Sequence, residues 1–116
     1  MGVIGLQRIV VSVADLARAL LLYRDVLGLV VTAQFGEVVR LDVPGTDTEL
    51  LLHQRTPTSG PAGVAVSFRV DDVDATAAAA EKAGAAIVDP PEDQPWGERQ
   101  AVLTDADGHV ICLIAV

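Results

Sequence analysis

The side chains in this sequence that could do chemistry occur on segments in which polar and apolar residues alternate. A period of two is typical of a β-strand with one buried face and one open face. Six polar residues fall on the open faces of three such segments: Arg8, Ser12, Glu49, His53, Ser67 and Arg69. They offer guanidinium and hydroxyl donors, one carboxylate and one imidazole, a set that suits recognition of a polar small molecule. We therefore predict that these faces line a binding surface.

A second group of candidate residues lies in the last quarter of the chain. Pro95-Trp96-Gly97 carries the only Trp, and Asp105-Ala106-Asp107-Gly108 has the composition of a tight turn, in which Asp caps and Gly supplies a positive φ. The turn predicts a hairpin over residues 98–115, whose last strand carries Cys112. Trp96 has two interpretations: a stacking surface for a flat ligand, or a structural residue of its loop.

The elements that must position these residues begin with a strand at 7–13. A helix capped by Asp15 and ended by Gly28 follows, and then three strands at 29–35, 37–43 and 49–53. The apolar residues at helical spacing in this half are Leu16, Leu20, Tyr23 and Leu27.

The second half repeats that order. Its first strand has an apolar face, its helix is capped by Asp71 or Asp72 and ended by Gly84, and a short strand at 86–88 precedes a Pro-rich loop at 89–97 and the hairpin. The apolar strand face consists of Val64, Val66, Phe68 and Val70.

The repeat predicts an α+β fold of two βαβββ modules in a single domain, residues 1–116. Module 1 spans about 6–55, a linker spans 56–63, and module 2 spans about 64–116. The apolar strand faces must cover the helices, so we expect a curved mixed sheet with helices outside and a concave cup inside. In our alignment of the two halves, Arg8 matches Ala65 and Glu49 matches Cys112.

Composition limits the classes of partner. The net charge of −8 argues against nucleic acid, which needs a basic surface. The single Cys excludes an intrachain disulfide, and no apolar stretch approaches the length of a membrane span, so we expect a soluble cytoplasmic protein with no membrane partner. Most of the acidity falls in residues 59–116, which is either a solubility feature or an attraction for a cationic ligand.

The chain resembles the vicinal oxygen chelate superfamily, which includes glyoxalase I, extradiol dioxygenases, and fosfomycin- and bleomycin-resistance proteins. The motifs that carry the resemblance extend over nearly the whole chain: Val13-Ala14-Asp15-Leu16, Tyr23-Arg24-Asp25-Val26-Leu27-Gly28-Leu29, Pro95-Trp96-Gly97 and Asp105-Ala106-Asp107-Gly108-His109. The resemblance implies paired βαβββ modules and, commonly, a homodimer.

Metal-dependent members of that superfamily hold a divalent ion with His or Glu at four positions. Here the resemblance places Arg8, Glu49, Ala65 and Cys112 at those positions. Arginine only donates hydrogen bonds and alanine has no ligand atom, so we expect no metal cofactor. The alternative is an atypical Zn, Ni, Mn or Fe site, for example Glu49–His53–Cys112. We also predict that Arg8 pairs with Glu49 and replaces the missing cation.

Two classes of function remain. The resemblance, without a metal, favours a small-molecule binding protein of the glyoxalase/bleomycin-resistance type that sequesters a planar or cationic antibiotic through Trp96 and Phe35, with no catalytic residue. Only four aromatic residues are present, which is few for a stacking cleft. The alternative is a lyase or dioxygenase with an atypical metal, in which Glu49 would be the catalytic group. A regulatory module with a vestigial cup is a third interpretation.

Overall fold

The computed structural model describes residues 2, 4, 6–57 and 65–115. The chain divides into two compact units, Met1–Thr58 and Ser59–Val116, which we call module 1 and module 2. Val64, predicted on the first strand of module 2, and most of the predicted linker 56–63 lie outside the described residues.

Module 1 contains a four-stranded mixed sheet and one helical connection between its first two strands. Its strands are β1 (Arg8–Val13), β2 (Val30–Phe35), β3 (Val38–Asp42) and β4 (Glu49–Gln54). They lie in the order β1-β4-β3-β2, with β1 parallel to β4 and the other neighbours antiparallel. A helix, α1 (Leu16–Leu20), and a π-helical segment (Leu21–Val26) connect β1 to β2.

The helix of module 1 begins and ends where the sequence predicts but changes its pitch between those points. The Asp15 carboxylate accepts a hydrogen bond from the Arg18 N–H at 3.0 Å, and Gly28 ends the helix with φ +75°. In the π-helical segment the Leu27 N–H donates to the Leu22 carbonyl, five residues back, at 2.9 Å. Ala19 and Leu22 are buried, whereas Leu20 and Leu27, expected on the buried face, are half-buried. The wider turn changes the spacing of the residues after Leu20 and so shifts Leu27 relative to that face.

Module 2 has the same topology. Its elements are β5 (Val66–Arg69), α2 (Val73–Lys82), β6 (Ala86–Asp93), β7 (Arg99–Thr104) and β8 (Val110–Ala115). The sheet order is β5-β8-β7-β6, with β5 parallel to β8 and the other neighbours antiparallel. Of the two predicted caps, Asp72 is the N-cap of α2, and its carboxylate accepts from the Ala75 N–H at 3.0 Å. The α+β prediction of two βαβββ modules is confirmed.

The strand β6 corrects the prediction of a loop at 89–97. It continues through Pro90 and Pro91 to Asp93, and it pairs with β7 through two register shifts, one between Ile87 and Asp89 and one beyond Asp89. Proline has no N–H to donate within a sheet, but β6 is an edge strand, where a missing donor and a bulge are tolerated.

Each module buries its own apolar core between one sheet face and its helix. The fully buried side chains of the sheets are mainly leucines and valines, and the helical segments contribute Tyr23 and aliphatic residues to the same layer. The core residues of module 1 include Val13, Leu22, Tyr23, Val39, Leu41, Leu50 and Leu52, and those of module 2 include Val73, Ala77, Ala80, Ala101, Leu103, Ile111 and Leu113. None of the helices in the described part of the chain has the length and hydropathy that a membrane span requires.

Candidate functional site

The open face of the module 1 sheet collects five of the predicted site residues. The strand register arranges this face in three rows across β1, β4, β3 and β2. The first row is Arg8, Glu49, Asp42 and Val30; the second is Val10, Leu51, Arg40 and Ala33; the third is Ser12, His53, Val38 and Phe35. We call this surface the open face of module 1.

Arg8 and Glu49 form an ion pair on this face, as predicted. The two residues are register partners on the parallel strands β1 and β4. Arg8 donates to Oε2 of Glu49 from Nε at 3.3 Å and from Nη2 at 3.1 Å. The Glu49 side chain is only 18% exposed, so the guanidinium supplies a charge partner that a partly buried carboxylate needs.

Arg40 is a second cation beside the same carboxylate, and our reading of the sequence missed it. Its Nε lies 3.7 Å from Oε2 of Glu49, which is ion-pair distance but too long for a hydrogen bond. Its guanidinium carbon lies 5.6 Å from the centre of the Phe35 ring, in cation–π contact. The alternation of β3, with Val39 and Leu41 buried, is a signal that places Arg40 on the open face.

The third row of the open face carries a hydroxyl and an imidazole. Ser12 and His53 are register partners, and the Ser12 hydroxyl accepts a hydrogen bond from Nε of Arg55 at 2.7 Å. Arg55 follows β4, and because it donates to Ser12 it is a third arginine on this face. Together with Asp42 and Glu49, the three arginines give the open face a net charge of +1, whereas the whole chain has −8.

Ser67, Arg69 and Cys112 lie on the corresponding face of module 2. Ser67 is the register partner of Cys112, and Cys112 also lies opposite Val102 on β7. Cys112 is half-buried and Arg69 is exposed. Hydroxyl, thiol and guanidinium groups are therefore present here, but this face has no counterpart of the Arg8–Glu49 pair among the described residues.

The registers also correct our alignment of the two halves. When the two halves are aligned on their helix N-caps, Asp15 and Asp72, Arg8 matches Ala65 and Val10 matches Ser67. Because Val10 lies opposite Leu51 and Ser67 lies opposite Cys112, Cys112 corresponds to Leu51. The match of Glu49 with Cys112 was wrong by two residues, since spacing from a turn glycine does not record the register of the following strand.

Trp96 lies at the tip of the turn between β6 and β7. The turn is closed by a hydrogen bond from the Gln94 N–H to the Glu98 carbonyl at 2.7 Å, and Gly97 has φ +94°. Trp96 is 62% exposed. A surface cavity of about 380 Å³ beside this turn is lined by Asp93, Gln94, Gly97, Glu98, Arg99 and Ala115. The ring of Trp96 is available to a ligand, but it does not line that cavity.

The turn Asp105-Ala106-Asp107-Gly108 has the structural role that its composition predicts. Asp105 is buried, and its carboxylate accepts from the Asp107 N–H at 3.0 Å and the His109 N–H at 2.9 Å. Gly108 has φ +86°. These two hydrogen bonds to backbone groups of its own turn stabilise the hairpin.

A charged cluster ties α2 to the β6–β7 hairpin. Arg99 on β7 donates to both carboxylate oxygens of Asp74 on α2, at 2.7 and 2.9 Å, and to Asp93 on β6 at 3.0 Å. Its hydrogen bonds hold the pKa of the Asp74 carboxyl below its usual value, and the two carboxylates raise the pKa of Arg99. The groups are exposed, so the cluster is a connection between elements and a weak candidate for a site.

The residues do not fit the divalent ion that metal-dependent vicinal oxygen chelate proteins hold. No group of three or more His, Cys, Asp and Glu side chains converges within residues 2, 4, 6–57 and 65–115. At the positions in question, Arg8 has no lone pair to donate and Ala65 has no ligand atom. Glu49, the remaining carboxylate, already pairs with Arg8.

Comparison with known proteins agrees with this architecture. The model of the Glyoxalase/Bleomycin resistance protein/Dioxygenase superfamily matches residues 5–113. A solved structure, TnmS3, an antibiotic binding protein from Streptomyces sp. CB03234, is 35% identical, with a TM-score of 0.74 over 99% of this chain and 98% of its own. A glyoxalase-related enzyme from Fulvimarina pelagi shares the fold, with a TM-score of 0.83 over 98% and 89% of the two chains but 17% identity.

An uncharacterized protein of Mycobacterium tuberculosis H37Rv is 47% identical over 55 residues, which cover 47% of this chain and 32% of that protein. The match therefore spans about a third of the length of this curated relative. The family match, in contrast, includes nearly every residue of both modules. The chain belongs to the glyoxalase/bleomycin resistance protein/dioxygenase superfamily.

Proposed function

We propose that this protein is a metal-independent small-molecule binding protein that sequesters a ligand with a planar ring system, such as an antibiotic, on the open face of module 1. The observation that carries the proposal is the Arg8–Glu49 ion pair. The Arg8 guanidinium supplies the positive charge that the partly buried Glu49 carboxylate needs, so the face keeps its polarity without a Lewis acid.

The surrounding residues support binding of a planar molecule. Phe35 is 63% exposed and lies next to Arg40, which gives a flat apolar ring beside a flat cation. Ser12, His53 and Arg55 add polar groups in the same row of the sheet. The second row contributes aliphatic surface through Val10 and Leu51. An apolar floor with a few polar groups is the usual composition of a small-molecule site.

Similarity to an antibiotic binding protein supports the choice of ligand class. TnmS3 is 35% identical to this chain over nearly its whole length. The fold alone is shared by enzymes and binding proteins, so it does not choose between them. The donor set at the metal positions does favour binding over metal-dependent catalysis.

The test is calorimetric titration of chelator-treated protein with a panel of planar aromatic antibiotics. We expect at least one compound to bind with one site per chain, and with an affinity that added Zn, Ni, Mn or Fe(II) leaves unchanged. Metal analysis and thermal unfolding with each ion provide the second readout. Stoichiometric metal with a gain in thermal stability, or binding that needs a metal, would support the metal-dependent enzyme instead.

A further inference from the structure

Arg40 has a buried donor with no hydrogen-bond acceptor in the part of the chain that the structure describes. Its Nε is inaccessible to solvent and meets no hydrogen-bond acceptor among the described residues, because Oε2 of Glu49 is 3.7 Å away. A buried unsatisfied donor is costly, and one in a native structure calls for a partner such as a water, an ion or a ligand atom. The outer part of the same side chain is open, at 38% exposure.

The carboxylate beside Arg40 cannot serve both arginines well. Arg8 already takes Oε2 of Glu49 with two hydrogen bonds. Two guanidinium groups against one half-buried carboxylate leave an excess of one positive charge and unused donors at Arg40. A guanidinium presents five donors in a plane, and a carboxylate, sulfonate or phenolate oxygen is the natural acceptor for them.

We propose that Arg40, supported by Arg8, is the anion-recognition residue of the module 1 face, and that the ligand is a planar aromatic molecule with an acidic group. The acidic oxygens accept from Arg40 while the ring lies against Phe35. The inference rests on the proposed function and deepens it by naming the ligand class. It also reverses the expectation of a cationic ligand that the net charge of the chain suggests.

The other charged groups on this face are compatible with an anion. Asp42 lies opposite Glu49 and is exposed, so its charge is well screened by water. Arg55 adds a positive charge at the Ser12 end of the face, where His53 is the register partner of Ser12. Counted together, Arg8, Arg40, Arg55, Asp42 and Glu49 leave a net charge of +1.

The experiment compares two fluorescent probes that share one ring system. The anion is 1-anilinonaphthalene-8-sulfonate, and its neutral analogue is N-phenyl-1-naphthylamine. Each is titrated into wild type, Arg40→Gln, Glu49→Gln and the control Arg24→Gln, which removes an exposed arginine of the π-helical segment. Circular dichroism and thermal unfolding confirm that every variant is folded, and Arg40→Lys serves as a second variant that keeps the charge.

We expect wild type to prefer the sulfonate, and Arg40→Gln to lose about tenfold or more of the sulfonate affinity, the loss of a charge-assisted hydrogen bond, with little change for the neutral probe. Glu49→Gln should bind the sulfonate more tightly, because both guanidiniums then face the ligand. Arg40→Lys should bind the sulfonate more tightly than Arg40→Gln, and Arg24→Gln should behave like wild type.

The two hypotheses fail in different ways. Binding of both probes with equal affinity, unchanged in Arg40→Gln, overturns the anion-recognition role and leaves the small-molecule binding function standing. A fall in sulfonate affinity in Glu49→Gln equally contradicts it. If neither probe binds and the antibiotic panel is also silent, both proposals are wrong.

Discussion

Asp105 shows how a single carboxylate can be committed to the fold rather than to chemistry. It is 7% exposed, and its carboxylate accepts from two backbone N–H groups in the turn that it begins. Truncation of Asp105 would leave those donors unsatisfied, and an unsatisfied buried donor costs more stability than the loss of an ordinary surface contact. The DxDG motif that marks the family is therefore a structural motif in this chain.

Replacing Asp105 by Ala is expected to lower the free energy of unfolding by about 2 kcal/mol, because two backbone donors lose a charged acceptor. Urea denaturation measures the change. Asp105→Asn keeps one carbonyl oxygen on the same stem and should retain a substantial part of the stability. Equal losses in both variants would show that the charge of Asp105, and not its acceptor geometry, stabilises the turn.

The position of Arg40 could be predicted from the sequence, but its role in the site could not. The Arg8–Glu49 pair follows from alternation in two strands and from the positions that the family resemblance marks. Arg40 follows from the same alternation in β3, but its importance depends on a distance of 3.7 Å and on the burial of one nitrogen. Those are properties of packed side chains, and no spacing in the chain encodes them.

At the scale of elements, the N-cap of α2 is Asp72, and the neighbouring Asp71 provides a control for its substitution. Asp72 accepts the Ala75 N–H, whereas Asp71 is an exposed neighbour. Asp72→Ala should therefore cost about 1 kcal/mol of stability in urea denaturation, the usual value for an N-cap, and Asp71→Ala should cost less than about 0.5 kcal/mol. A larger loss of stability in Asp71→Ala than in Asp72→Ala would show that Asp71, and not Asp72, is the N-cap of α2.

The contact between α2 and the β6–β7 hairpin is expected to respond to acid. Arg99 lowers the pKa of Asp74 in the folded state, so the pair contributes stability above the unfolded pKa, near 4, and loses it as the pH falls through the lowered value. Arg99→Gln should thus be less stable than wild type at neutral pH, with the difference shrinking as the pH falls below about 4.

NMR titration of the Asp74 carboxyl tests the same contact directly. In wild type it should titrate below the ordinary value, and in Arg99→Gln it should return toward it. Arg24→Gln removes an arginine of module 1 that pairs with Asp25, and it should leave Asp74 unchanged. An Asp74 pKa that stays low in Arg99→Gln would assign the shift to the helix terminus rather than to the ion pair.

Elements whose ends are marked by capping residues and glycines could be predicted from the sequence. Features that depend on packing against neighbouring elements could not. Asp15 and Gly28 mark the ends of the first helical connection, but no residue type or spacing marks its π-helical turn, in which Leu22 and Tyr23 are buried. Likewise Pro90 and Pro91 suggest a loop, and only the outer position of β6 in its sheet allows them within a strand.

At the scale of the whole molecule, the two modules share one strand order, and their strands β4 and β8 share one pattern of buried positions. Each sheet places its last strand beside its first in parallel, so β4 and β8 are inner strands with neighbours on both sides. Leu52 lies opposite Val11 in β1, and Leu113 lies opposite Phe68 in β5. The two leucines are thus equivalent, and both are fully buried.

This equivalence predicts equal costs for equivalent truncations. Leu52→Ala and Leu113→Ala should each lower the free energy of unfolding by roughly 2–5 kcal/mol, because each leaves a cavity in a packed core. Leu51→Ala and Cys112→Ala, the equivalent pair on the open faces, should cost about 1 kcal/mol or less, since both side chains are only half-buried. Urea denaturation of the four variants provides the comparison. A Cys112→Ala cost as large as that of Leu113→Ala would contradict the assignment of Cys112 to the open face, and with it the corrected alignment that separates Cys112 from Glu49.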